Sequence, residues 1–206
     1  MRLLLIAPGY LPYTFSENLC NGKLAYAMYK KGWHVDVLSK VDEGPAYSTE
    51  WTEPWLPLKK NNITITYPVG GKLTRMWDVL RSSVKLGMYP EGGVRWAYRA
   101  YELALKLCKE NHYDAVLTRS PSDIPHIIGL RLKEKLGIRW IANWNDPAAP
   151  IWPEPYTHHF SAKEQARKDQ FTRMCLKGAD VNTFPSQSLL EHFTSHYPFL
   201  AEQKTE

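Results

Sequence analysis

The chain has 206 residues, which at about 150 residues per domain sets an expectation of one domain. With 44% hydrophobic and 23% charged residues the composition is that of a globular protein, and this excludes the disordered, collagen-like and coiled-coil classes. Lysine and arginine number 26 against 21 acids, a net charge of +5 that favours contact with phosphates or an anionic surface without identifying which.

The longest aliphatic run, residues 3–7, is far too short to cross a bilayer or to form a signal-peptide core. Met1 and Arg2 lead straight into it, so the fold is expected to start at the first residue. Ended by Pro8-Gly9, the run suits a strand buried on both faces of a parallel sheet. Helical spacing follows at Cys20, Leu24, Ala27 and Met28, with Gly32 where a C-cap belongs, and residues 34–38 read as a second strand. Residues 39–62 lack any period and read as a long surface loop, and residues 63–67 alternate as a third strand. Helices are expected over 73–86 and 94–110, separated by Pro90-Glu91-Gly92-Gly93.

The second half repeats the alternation. Residues 114–118 form a strand, and Ser120-Pro121-Ser122-Asp123 starts a helix whose stripe is Ile124, Ile128, Leu132 and Leu136, with Gly137 at its end. Residues 138–142 are the next strand, 143–159 a proline-rich loop, and Ser161 with Glu164 a capping box opening a helix to Lys177. A last strand over 180–184 and a helix capped by Ser186 complete the pattern. Cys20, Cys108 and Cys175 all fall in helices and are expected as small buried hydrophobes; no disulfide framework or zinc site follows from them.

This pattern predicts an α/β fold: a doubly wound, mainly parallel sheet of six to seven strands with helices on both faces. Ligands of such sheets bind beyond the carboxyl ends of the strands, where the strand order reverses, which selects the loops 8–18, 119–122 and 143–156. No glycine-rich dinucleotide fingerprint and no P-loop is present.

In the first loop Ser16-Glu17-Asn18 lies where a helix N-terminus presents backbone donors to an anion, although Thr14 and Glu17 also spell a capping box that would occupy those donors. Arg119-Ser120 ends a strand at the ligand edge, where a guanidinium can grip a phosphate or carboxylate or simply pair with Asp123 or Asp146. Asn143-Trp144-Asn145-Asp146-Pro147 brings together two amides, an indole and a carboxylate suited to sugar rings and hydroxyls; the same residues can also merely build a turn. His158-His159 reads as surface histidines and no metal site is expected. Glu102 and Glu110 lie in the middle of an amphipathic helix, and their spacing reads as chance. Between residues 72 and 99 the basic Lys72, Arg75, Arg81, Lys85, Arg95 and Arg99 alternate with Met76, Trp77, Leu80, Trp96 and Tyr98. That pattern suits an anionic membrane surface or an ordinary solvated face; nucleic acid is not expected.

The order of these features resembles the N-terminal domain of a retaining, family 4-like glycosyltransferase of the GT-B fold. It is carried by Ala7-Pro8-Gly9-Tyr10-Leu11-Pro12, Lys31-Gly32-Trp33-His34-Val35-Asp36-Val37, Tyr113-Asp114-Ala115-Val116-Leu117-Thr118-Arg119-Ser120-Pro121, Trp144-Asn145-Asp146, and Gly178-Ala179-Asp180-Val181 with Ser186. Where the family usually has two glycines in the first loop, this chain has Ser16-Glu17-Asn18. The resemblance implies a single Rossmann-like domain over 1–206, one half of a GT-B fold, with the C-terminal donor-binding domain absent and the fragment inactive alone. It implies transfer of a sugar from a nucleotide sugar to an acceptor hydroxyl, glycan or lipid-linked, with retention and without cofactor or metal, in the cytoplasm or on the inner face of the membrane. Asp146 is then the catalytic candidate, Asn143, Trp144, Arg119 and Ser120 contact the acceptor, and Ser16, Glu17 and Asn18 lie near the donor. A stand-alone Rossmann-like binding or adaptor module is the alternative.

Overall fold

A computed structural model describes residues 1–11, 16–40, 62–65, 71–87, 94–120, 124–157 and 159–202. Six parallel strands form one sheet: β1 (Arg2–Ile6), β2 (His34–Lys40), β3 (Asn62–Ile65), β4 (Ala115–Arg119), β5 (Trp140–Asn143) and β6 (Val181–Thr183), in the order β3-β2-β1-β4-β5-β6. The helices are α1 (Ser16–Lys30), α2 (Lys72–Leu86), α3 (Val94–Glu110), α4 (Ile124–Leu136), α5 (Ala162–Gly178) and α6 (Gln187–His196). Among the described residues no helix is long and apolar enough to cross a membrane.

β1 is central, so its apolar run is covered on both faces. Leu3, Leu5 and Ala7 join Val35, Val37, Ala115 and Leu117 beneath α1. Leu4 and Ile6 join Leu38, Val116 and Ala142 on the other face, among residues of α3, α4, α5 and α6. Each fully buried leucine contributes about 2 kcal/mol of transfer free energy, and the two-sided burial fixes the register of the middle of the sheet. Because α1 returns β1 to β2 on one face and α4 carries β4 to β5 on the other, the strand order reverses between β1 and β4. A crevice therefore opens at their carboxyl ends.

Several expectations change. The predicted stripe of α1 holds only in part: Leu24 and Met28 pack partly buried on the core, but Cys20 and Ala27 are exposed, and the fully buried positions are Asn18, Asn21, Gly22 and Ala25. Small residues prevail there because the backbone comes close, and a Cβ on Gly22 would stand 2.6 Å from Leu11. Of the three cysteines only Cys175 is fully buried; Cys108 is partly so. Asp114 and Asp180 fall just outside their strands, since each carboxylate accepts a neighbouring strand's first N–H, Arg2 N at 2.7 Å and Trp140 N at 2.8 Å. Trp96 is 2% exposed and belongs to the core, so it offers nothing to a membrane. The capping box of Ser161 and Glu164 and the cap of Ser186 form as predicted. The predicted caps at Thr14 and over 121–123, the loop 41–61, the separator 90–93, the end of the third predicted strand and His158 lie outside the described residues.

Candidate functional site

The loop leaving β1 is clamped by α1. Asn21 Nδ2 donates to the Gly9 carbonyl at 2.8 Å, and any Cβ at Gly9 would collide with the buried Asn18 side chain. This is why a glycine stands there, and it holds the first turn of α1 at the rim of the crevice. Ser16 is exposed on that turn, Glu17 is half-buried beside it, and Asn18 faces inward onto Gly9.

From the far side of the reversal β4 contributes Arg119, only 8% exposed. Its Nη2 donates to Asn145 Oδ1 at 2.8 Å, and Asn145 Nδ2 donates to Glu17 Oε2 at 3.1 Å. One amide thus bridges a guanidinium on β4 to a carboxylate on α1, 128 residues away in sequence. The turn that presents Asn145 is set by Ser120, whose N–H donates to the Asn143 carbonyl at 3.1 Å and whose buried hydroxyl accepts the Asn145 N–H at 2.7 Å. Ser120 therefore shapes the site from below. Asn143 turns toward β6, its Nδ2 donating to Thr183 Oγ1 at 2.8 Å, and leaves its buried Oδ1 without a partner.

Trp144, expected to stack on a sugar, is fully buried. Its indole N–H donates to Asn182 Oδ1 at 2.9 Å, and its ring centroid lies 4.1 Å from that of His126 and 5.3 Å from that of Phe193. The physical reason is strand alternation: at the end of β5, Trp140, Ala142 and Trp144 share the face covered by α4 and α6, while Asn143 and Asn145 take the opposite one, toward α1. Asn145, not among the predicted contacts, is instead the centre of the network. The period-2 pattern running through Asn143 was the signal that could have separated these residues.

Burial dominates the electrostatics. It raises the Glu17 carboxyl above its ordinary range, more than the Asn145 hydrogen bond and Arg119 lower it, and Asp146 adds to the rise. Burial likewise raises Asp146 against the pull of Arg119, and it lowers the Arg119 guanidinium despite Glu17, Cys20 and Asp146. Among the described residues Asp146 makes no hydrogen bond, and Arg119 Nε is buried without one. The site thus holds one desolvated cation and two carboxylates of raised proton affinity, a set that can grip an anion and accept a proton from a hydroxyl. Among the described residues no group of three or more His, Cys, Asp and Glu side chains gathers as a metal site, and His159 is exposed. Glu102 and Glu110 sit on the surface of α3, paired with Lys85 at 3.0 Å and Lys106 at 3.8 Å.

No protein-family model matches the chain, and no curated protein does. Solved structures do. Sucrose-phosphate synthase from Thermosynechococcus elongatus is similar at a TM-score of 0.58 and 16% identity, over 100% of this chain and 47% of that one. The UDP complex of TcCGT1 matches at 0.56 and 9% identity, over 99% and 50%. A protein described as a UDP-N-acetylglucosamine 2-epimerase from Listeria monocytogenes matches at 0.51 and 13% identity, over 95% and 42%. The chain spans about half the length of these structures, and at such identities what they share with it is the fold. That fold is a Rossmann-like α/β domain of the kind that makes up half of the GT-B architecture.

Proposed function

We propose that the chain is the acceptor-side, N-terminal half of a glycosyltransferase that moves a sugar from a nucleotide sugar to an acceptor hydroxyl with retention. The observation that carries this reading is the meeting of Glu17, Arg119 and Asn145, with Asp146 next in sequence, at the crevice where the strand order reverses. The likeness in fold to a UDP-bound protein agrees with it. In this reading Arg119 and Asn145 hold a polar group of the acceptor, a glycan or a lipid-linked hydroxyl. Asp146 orients the attacking hydroxyl or takes its proton, its raised affinity suiting it to that step. The acceptor oxygen bonds to the anomeric carbon while the nucleoside diphosphate leaves with the electrons of the broken bond. Ser16 and Glu17 flank the donor, which enters as a co-substrate; the reading calls for no resident cofactor or metal. Its binding lobe lies outside these 206 residues, so this chain alone turns over nothing. The reading places the protein in the cytoplasm or on the inner face of the membrane.

The test is transfer by the complete protein from a panel of nucleotide sugars to hydroxyl acceptors. Asp146→Asn lowers kcat by roughly a hundredfold with the donor KM unchanged. A variant as fast as the parent removes Asp146 from the chemistry, and transfer by residues 1–206 alone overturns the assignment as an acceptor half.

A further inference from the structure

Helix α2 is inside out. It buries Asp78 and Ser82 with Leu86, while Leu73, Met76, Trp77, Leu80 and Val84 are 72%, 65%, 60%, 52% and 76% exposed. At 100° per residue these five fall within an arc of about 100°, a continuous outward stripe along a helix about 22 Å long. Isolated exposed apolar residues are ordinary, but a contiguous row of large ones marks a surface that meets something.

The orientation is anchored from within. Ser82 Oγ donates to the Asp78 carbonyl at 2.7 Å, the Asp78 carboxylate lies 3.6 Å from Arg99 on α3, and Arg131 Nε on α4 donates to the Leu86 carbonyl at 3.0 Å. Gly87, at φ 66°, closes the helix in the left-handed region that favours glycine. Rotating the stripe inward would break the contacts with Arg99 and Arg131 and turn Asp78 and Ser82 out to solvent.

The rim of the stripe says what meets it. By helical position Lys72 and Arg81 flank it on opposite sides, and Arg75 lies in the first turn. The acids described nearby, Asp78 and Glu102, are already paired with Arg99 and Lys85. An open groove of about 370 Å³ at the edge of the stripe is lined by Leu73, Trp77 and Arg81, with the Asp78–Arg99 pair in its wall. Apolar residues in a row, flanked by Lys72 and Arg81, for which no ion pair forms among the described residues, fit a surface that offers hydrocarbon and phosphate together. A second copy of the chain would bring equal basic rims face to face and be repelled.

We propose that α2 docks flat on an anionic lipid bilayer, with Leu73, Met76, Trp77, Leu80 and Val84 below the headgroups and Lys72 and Arg81 on lipid phosphates. This goes beyond the sugar-transfer reading and does not depend on it. The test is co-sedimentation of the chain with vesicles of phosphatidylglycerol and phosphatidylcholine in equal parts, and with phosphatidylcholine alone. The protein binds the anionic vesicles roughly tenfold more tightly than the neutral ones, and rising salt weakens that binding. The double variant Trp77→Ser, Leu80→Ser, whose sites are exposed, keeps the parent's circular dichroism and melting temperature and loses roughly tenfold in binding. Lys72→Gln with Arg81→Gln loses a similar factor on anionic vesicles alone. Absence of binding by the parent, or undiminished binding by the Trp77 and Leu80 variant, overturns the proposal. So does a concentration-dependent dimer that this variant abolishes while vesicles bind neither protein.

Discussion

The two edges of the sheet handle charge in opposite ways. At the amino edge Asp36 meets its cation directly: Arg2 Nη2 donates to it at 3.0 Å and to Asn111 at 2.9 Å, the Tyr113 hydroxyl donates to Asp36 at 2.8 Å, and His34 Nε2 lies 3.1 Å away. The Arg2 guanidinium also covers the Tyr113 ring at 5.2 Å, and burial together with Asp36 pushes the Tyr113 phenol up. At the carboxyl edge Arg119 reaches Glu17 only through the amide of Asn145, and among the described residues Asp146 forms no ion pair. A chain that only has to hold its strands matches its charges; the edge with the crevice leaves them desolvated and available.

Breaking that asymmetry at its strongest point has the largest effect. Asp36→Asn keeps the shape of the side chain but leaves Arg2 facing an amide, so unfolding in urea shows a loss of about 2 kcal/mol. The loss stays below that of a fully buried pair because the Arg2 side chain is 37% exposed. Asp146→Asn, by contrast, removes a carboxylate that burial already disfavours and leaves stability within about 0.5 kcal/mol of the parent. Equal losses at the two edges would show that the contrast is not energetic.

A second, smaller effect sharpens the picture beneath the carboxyl edge. His126 is fully buried under β4, with Nδ1 2.8 Å from Thr118 Oγ1, which also accepts the Trp140 indole N–H at 2.7 Å. Burial lowers His126 from 6.5 to about 3. The unfolded chain therefore binds the proton first, and stability falls as pH drops from 6.5 toward about 3. Urea midpoints of the parent and His126→Gln, followed across that window, diverge at neutral pH and converge as it becomes acid. Parallel curves would mean that the ring titrates alike in both states. Glu17 and Asp146 act in the opposite sense, since raised carboxyls lose stability as pH rises, and the difference between parent and variant isolates the histidine from them.

Much of the scaffold was legible because it follows local rules. The apolar run of β1, the glycine ends at Gly32 and Gly137, and the capping box at Ser161 each depend on residues close in sequence. The three ligand loops followed from alternation alone, and all three meet in the Glu17–Asn145–Arg119 network. Illegible were the features decided by distant neighbours. The contact face of α1 was chosen by the close approach of Leu11 to Gly22, and the burial of Trp144 by His126 and Phe193 from two helices elsewhere in the chain. The outward stripe of α2 was read in its composition, but not in its orientation, which Arg99 and Arg131 set.

The smallest effect is the most pointed test of the comparison. Arg119 is buried, its charged form disfavoured by desolvation, and its nearest carboxylates lie beyond direct reach. Replacing it with methionine removes that cost but leaves Asn145 Oδ1 without its donor and takes the guanidinium away from Glu17 and Asp146. The two contributions nearly cancel, so Arg119→Met changes stability by only about 0.5 kcal/mol. Their balance tilts with pH. Without the guanidinium both carboxyls rise further, the folded state holds its protons longer, and the variant loses ground to the parent as pH increases. Melting curves at about pH 5 and about pH 8 therefore show the variant level with or above the parent at the lower value and below it at the higher. A uniform loss as large as that of Asp36→Asn would mean that Arg119 is a structural strut like Arg2, and that the carboxyl edge is built to hold the sheet together instead of to receive a ligand.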